Sequence, residues 1–326
     1  MNMSPGSSFL MVIALCGILT AYGTLSPARA QSVLKLSVHV TDEFGRPVTG
    51  LTTQDFKITL DNRHAVIGRF VENDDPASVL FIVDNSGSMQ IDPKSGMITK
   101  YWAMKIRDFI YAGNPENEYG LIVFNKEPRV IMDWTSNDGP AFSAGLQQLI
   151  KSESKAKTSL FDAIDRGMGM MKSAGHKKRA IIIISDGNEN GSRIGRFRDL
   201  RKTVRNSDVS VYTINVANAY SLTETPKSII NYLTGTRQML RVSEAYNSDM
   251  TELVNDTGGI NYSPVTVDQV ALAFDSLGAA LRHQYSLTLT GPSSIPTGNK
   301  NGLKIQLSSG NPLLKNLPLR VAFKVN

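Results

Sequence analysis

Hydrophobic positions follow three different rhythms along this chain. From residue 31 to about 72 they alternate with polar ones: Leu34, Leu36, Val38 and Val40, then Phe56, Ile58 and Leu60, then on toward Phe70. Period-two alternation predicts strands with one buried face, and the turn-rich stretch Asp42 to Pro47 separates the first from the next. From Ser78 the apolar residues become consecutive, at Val79 to Val83, Leu121 to Phe124, Ile181 to Ile184 and Val209 to Val216. Such runs predict strands covered on both sides, as in a mostly parallel sheet. Helical spacing separates them: Trp102, Ile106, Phe109 and Ile110 share one face, as do Leu160, Ile164, Met168 and Met171, and later Val270, Phe274, Leu277 and Leu281. After Arg282 alternation returns at Tyr285, Leu287 and Leu289, at Leu303, Ile305 and Leu307, and at Val321, Phe323 and Val325.

The pattern predicts a doubly wound, mostly parallel, Rossmann-like α/β domain over residues 77–282. The strands of 31–76 and 283–326 are too few to stand alone, and they are expected to pair with each other in a small β-sandwich. Residues 218–258, with Pro226 and Gly235 and mixed polarity, read as an insertion with short helices.

Composition narrows the class. With 41% apolar and 20% charged residues the chain suits a folded domain rather than a disordered one. Its single cysteine, Cys16, leaves no disulfide framework and no cysteine-built zinc site. Residues 1–30 read as an export signal: the apolar run Phe9 to Leu25 is followed by Pro27 and by Ala28, Arg29 and Ala30 before Gln31. That run is short for a membrane span and broken by Gly17, Thr20, Tyr22, Gly23 and Thr24. A periplasmic or secreted protein is expected.

Candidate chemistry gathers where strands end. Phe81, Ile82 and Val83 run directly into Asp84, Asn85, Ser86, Gly87 and Ser88, a D-x-S-x-S loop. Lys157, Thr158 and Ser159 open a predicted helix, and Ser185, Asp186 and Gly187 follow a four-isoleucine strand. In open α/β sheets, ligands collect at the carboxyl ends of strands. Carboxylate and hydroxyl oxygens on a tight loop are hard ligands suited to Mg²⁺.

These three loops resemble the metal-ion-dependent adhesion site of the von Willebrand factor type A domain, in which D-x-S-x-S is joined by a threonine and an aspartate before glycine. The resemblance implies metal ligation by Asp84, Ser86, Ser88, Thr158 and Asp186. The flanks, Val40 to Val48 through Leu51 to Phe56 and the run Leu281, Arg282, His283, Gln284, Tyr285, look like bacterial exported proteins of the acidobacterial type related to that family. Two carboxylates leave a divalent ion under-neutralised. The expectation is therefore an adhesion-type protein-binding module whose Mg²⁺, or Mn²⁺ or Ca²⁺, accepts an Asp or Glu side chain of a partner protein. The family usually carries glycines where Ala156 and Lys157 stand.

The alternative is a metal-independent structural or assembly factor of the cell envelope, binding through the sandwich or a basic face. Arg193, Arg196, Arg198, Arg201, Lys202 and Arg205, with Asp199 as the local counter-charge, offer such a face toward an anionic envelope surface. Export argues against nucleic acid as its partner. Catalysis is not expected: there is no G-x-S-x-G elbow, Walker A loop or H-E-x-x-H. His39, His64, His176 and His283 stand in no ligand spacing and read as structural or surface residues.

Overall fold

A computed structural model describes residues 32–89, 97–152, 157–193, 197–217, 241–242, 248–264, 266–291, 302–308, 310–311, 314 and 318–325. The expected export signal, with Cys16, lies outside the described residues, as does Arg196. In chain order the elements are β1 (Ser32–Thr41), β2 (Phe56–Leu60), β3 (Arg63–His64), β4 (Val66–Asn73), β5 (Ala77–Asp84), α1 (Met97–Ala112), β6 (Glu118–Phe124), β7 (Pro128–Thr135), α2 (Pro140–Ile150) and α3 (Leu160–Met171). There follow β8 (Lys178–Ser185), α4 (Phe197–Arg205), β9 (Val209–Asn215), β10 (Arg241–Val242), α5 (Ser248–Thr257), β11 (Asn261–Ser263), α6 (Val267–Arg282), β12 (Gln284–Gly291), β13 (Leu303–Leu307) and β14 (Arg320–Val325). Of the stretch expected as an insertion, β10 and α5 are described. No helix among the described residues is long and apolar enough to cross a membrane.

The consecutive apolar runs form a seven-stranded sheet in the order β10-β11-β9-β8-β5-β6-β7. Its central strands β11, β9, β8, β5 and β6 are parallel, while β7 and β10 add antiparallel edges. Alternate side chains of β5 serve opposite faces: Val79, Phe81 and Val83 pack with α1, α2 and α6, while Leu80 and Ile82 pack with α3, α4 and α5. The expected helical faces supply both layers, Trp102, Ile106 and Phe274 on one side and Leu160, Ile164 and Met171 on the other. Burial on both faces is why these strands read as unbroken hydrophobic runs.

The alternating segments form two antiparallel sheets, β14-β1-β12-β4 and β13-β2-β3. Leu34, Leu36, Leu287 and Leu289 of one meet Phe56, Ile58 and Leu303 of the other in a shared core. The strands before and after the α/β region thus complete each other, as the pattern predicts.

Sandwich and α/β sheet are joined through buried polar contacts. Lys324 Nζ donates to the Val209 carbonyl at 2.8 Å, and the Tyr262 hydroxyl donates to the Gly45 carbonyl at 3.1 Å. Gly258 has φ of +71°, and a Cβ there would come within 2.5 Å of the Phe323 backbone, so only glycine lets β14 approach. Since Val209 begins β9, this joint lies toward the amino end of that strand, away from the strand-end loops.

His39 of β1 is a buried titratable group of the joint. Its Nε2 lies 2.7 Å from the Tyr212 hydroxyl of β9 and 3.1 Å from the Gln284 amide nitrogen. Burial, with a smaller contribution from the Lys178 charge, lowers its pKa from 6.5 to about 3. The folded chain keeps this ring neutral where the unfolded chain protonates it, so its contribution to stability is complete above 6.5 and is lost as pH falls from 6.5 toward 3. Relative to a His39→Gln variant, the parent Tm should therefore drop by roughly 5–10 °C between about pH 7 and 4.5. Thermal melts of the two proteins across that range check it; parallel curves would remove His39 as the acid-sensitive element.

Candidate functional site

Two of the three expected loops follow the carboxyl ends of β5 and β8, the third opens α3, and a hydrogen-bond lattice ties them together. The Asn85 amide donates to the Phe124 carbonyl at 2.7 Å, linking the β5 loop to the end of β6. The Ser159 amide donates to the Asn125 carbonyl at 2.8 Å and its hydroxyl to the Lys126 carbonyl at 2.6 Å, which brings in the start of α3. Thr158 and Asn190 bond reciprocally: the Thr158 amide donates to Asn190 Oδ1 at 2.9 Å, and the Asn190 amide to the Thr158 carbonyl at 3.0 Å.

Asp84 ends β5 and is buried. The Ser86 amide donates to its Oδ1 at 2.8 Å, and the Ser185 hydroxyl, from the adjacent β8, donates to its Oδ2 at 2.6 Å. Burial raises its pKa to about 7; the bonds from Ser185 and Ser86 pull it down, and the neighbouring Asp186 carboxylate adds to the rise. Ser86 and Ser88 place their hydroxyl oxygens 3.1 Å apart, the first buried and the second exposed. Thr158 is buried. Asp186 turns its carboxylate back on its own loop, accepting from the Asn188 amide and from Asn188 Nδ2, both at 3.0 Å.

The structure thus gathers Asp84, Ser86, Ser88, Thr158 and Asp186 onto one set of knitted loops, but it corrects the metal chemistry expected of them. Among the described residues no group of three or more His, Cys, Asp or Glu side chains converges where a metal ion could be held. The carboxylates of Asp84 and Asp186 are engaged by the chain's own donors. These residues do not fit Mg²⁺, Mn²⁺ or Ca²⁺. Metal-dependent capture of a partner's Asp or Glu, with the adhesion site it requires, is accordingly withdrawn.

The residues that organise the cluster were not singled out from the sequence. Glu189 is the chief one: its Oε2 accepts from the Phe161 amide at 3.0 Å and from the Ser192 hydroxyl at 2.6 Å, and its Oε1 accepts from the Gly191 and Ser192 amides at 3.0 and 2.8 Å. Burial works against the charge, yet these bonds outweigh it and hold the carboxyl below its usual range. With Ser192 Oγ, which accepts from the Phe161 and Asp162 amides, Glu189 satisfies the free N–H groups opening α3. Ser159, the N-cap residue, makes no side-chain cap. The density of Asn, Gly and Ser in residues 186–192 is the sequence signal for such a loop.

The basic run divides. Arg193 pairs with Glu127 at 2.6 Å, and Arg201 is bound by Asp256 at 2.6 Å and by Glu252, both of α5. Arg198, Lys202 and Arg205 are exposed, and no ion pair holds them among the described residues. A groove of about 300 Å³ lies between α3 and α4, lined by Gly169, Lys172, Thr203, Asn206 and the Arg179–Asp208 pair, at some remove from the strand-end loops.

Residues 79–189 match the von Willebrand factor type A domain. Solved structures with a similar fold include BatB from Bacteroides thetaiotaomicron, 16% identical over 63% of this chain and 98% of that one, with a TM-score of 0.42. A von Willebrand factor type A protein from Catenulispora acidiphila is 10% identical over 89% and 74%, TM-score 0.46. The PilB minor pilin from Streptococcus sanguinis is 13% identical over 65% and 62%, TM-score 0.46. Likenesses of this degree say nothing about activity. Among curated proteins there is no match.

Asp84 gives a pH prediction opposite in sign to that of His39. The folded chain retains its proton up to about pH 7 whereas an unfolded aspartate releases it near 3.8, so stability falls as pH rises through that interval. Asp84→Asn, which keeps shape without charge, should gain on the parent by about 2–3 kcal/mol between about pH 5 and 8. Urea unfolding at both pH values measures it; a constant difference would show that the burial of Asp84 is not felt as charge.

Proposed function

The chain contains a von Willebrand factor type A superfamily domain, and from that premise we propose that it is an exported, metal-independent interaction or assembly module of the cell envelope. The observation that carries this reading is the division of the basic run on α4. Leu200 and Val204 face the core and Arg201 is spent on α5, while Arg198, Lys202 and Arg205 recur at steps of four and three on the exposed side. Residues so spaced lie on one helical face. Three cations held in register by a helix anchored through Leu200 and Val204 complement an acidic surface of a partner protein. Recognition of this kind makes and breaks no covalent bond.

Such binding depends on charge and is screened by salt, whereas a chelator leaves it intact. In a pull-down from envelope extract, the parent should retain the same partners with EDTA and lose them as salt rises. A combined Arg198→Glu, Lys202→Glu, Arg205→Glu variant should weaken capture by about tenfold or more, from three exposed pairs of roughly 0.2–1 kcal/mol each and the repulsion that replaces them. Capture abolished by EDTA, or unchanged in the triple variant with its fold intact, would sink this reading.

A further inference from the structure

The Asn190–Gly191 dipeptide stands among groups that suit a reaction with itself. Asn190 is exposed, and its side-chain carbonyl oxygen accepts from the Thr158 amide at 2.9 Å. The Gly191 amide, the nucleophile in any cyclisation onto that side chain, donates to Glu189 Oε1 at 3.0 Å. Nucleophile, proton acceptor and donor to the developing oxyanion are thus supplied by the fold. A Cβ at position 191 would meet Ser159 Oγ at 2.7 Å and the Thr158 carbonyl oxygen at 3.2 Å, so packing demands glycine. Glycine is also the residue that least shields its own amide nitrogen.

We propose that Asn190 is a site of self-promoted deamidation. The Gly191 nitrogen bonds to Asn190 Cγ as its proton passes to Glu189 Oε1, and the Thr158 N–H stabilises the negative charge on Oδ1. Return of that proton to Nδ2 lets the Cγ–Nδ2 bond break and ammonia leave, giving a five-membered succinimide between residues 190 and 191. One water then adds to either ring carbonyl, and the ring opens to aspartate or to isoaspartate. Net, one water is consumed and one ammonia released, with no change of oxidation state. Either product puts a new negative charge beside Thr158. Isoaspartate also lengthens the backbone by a methylene, which opposes the bond from the residue 190 amide to the Thr158 carbonyl.

The chain carries an internal control in its second Asn-Gly pair, Asn301–Gly302. Native protein, protein held unfolded in denaturant, and a native Glu189→Gln variant are aged in mildly alkaline buffer and peptide-mapped by mass spectrometry with separation of aspartate from isoaspartate. Asn190 should convert faster in the native than in the unfolded chain. Glu189→Gln should slow Asn190 by about tenfold while leaving the Asn301 rate where it was. The native-versus-unfolded comparison needs no variant and so stands even if Glu189→Gln disturbs the fold. Slower conversion of Asn190 in the native chain, or a Glu189→Gln rate equal to or above the parent's, would overturn the proposal, showing a loop that guards the amide.

Discussion

A carboxyl group buried at the seam of two parallel strands sets the terms for the loops at the carboxyl end of the sheet. Asp84 is buried between β5 and β8, so its oxygens need donors from the chain or the group must keep a proton. The Ser86 amide and the Ser185 hydroxyl are those donors. Ser185 then fixes its own surroundings: its Oγ accepts from the Gly187 amide at 3.0 Å and its carbonyl from the Val216 amide at 3.0 Å. From one desolvated group the constraint spreads to the β8 and β9 loops. Glu189 has the same effect on α3, whose first N–H groups find a carboxylate of the chain where an external anion would otherwise be favoured. The loops close on themselves because their strongest acceptors are already matched.

Much of the fold was legible because burial leaves a period. The five-residue run Val79 to Val83 has both faces covered, and Leu34, Leu36, Val38 and Val40 have one. Those are different packing situations, and they write different patterns. The pairing of β1 with β12 and β14 was readable only as a consequence of closeness of the flanking segments, since nothing in the strands themselves names a partner. The site was legible as residue types and not as chemistry. Asp84, Ser86, Ser88, Thr158 and Asp186 do come to one loop cluster, but whether an oxygen is available depends on what else reaches it. Ser185 reaches it from the last position of β8, and Asn188 and Asn190 from a loop whose geometry has no periodic signature. The counter-charges of Arg201 were hidden for a related reason: Asp256 and Glu252 lie fifty residues or so away, on a helix in a stretch of mixed polarity.

These features set a fixed joint against a helix face left in water. Lys324, Tyr262 and Gly258 bind the sandwich to the α/β sheet through backbone contacts that admit little substitution. A rotation there would strand a buried ammonium and a buried hydroxyl, each costing more than a surface contact returns. The joint therefore behaves as structure. α4 shows the opposite economy. Its nine residues make three short rows: Leu200 and Val204 fill the core, Arg201 is tied to α5, and the remaining cations are left in water. A helix needs only the first two rows to be stable. The third is under no packing constraint, and its cations stand in water at successive helical turns.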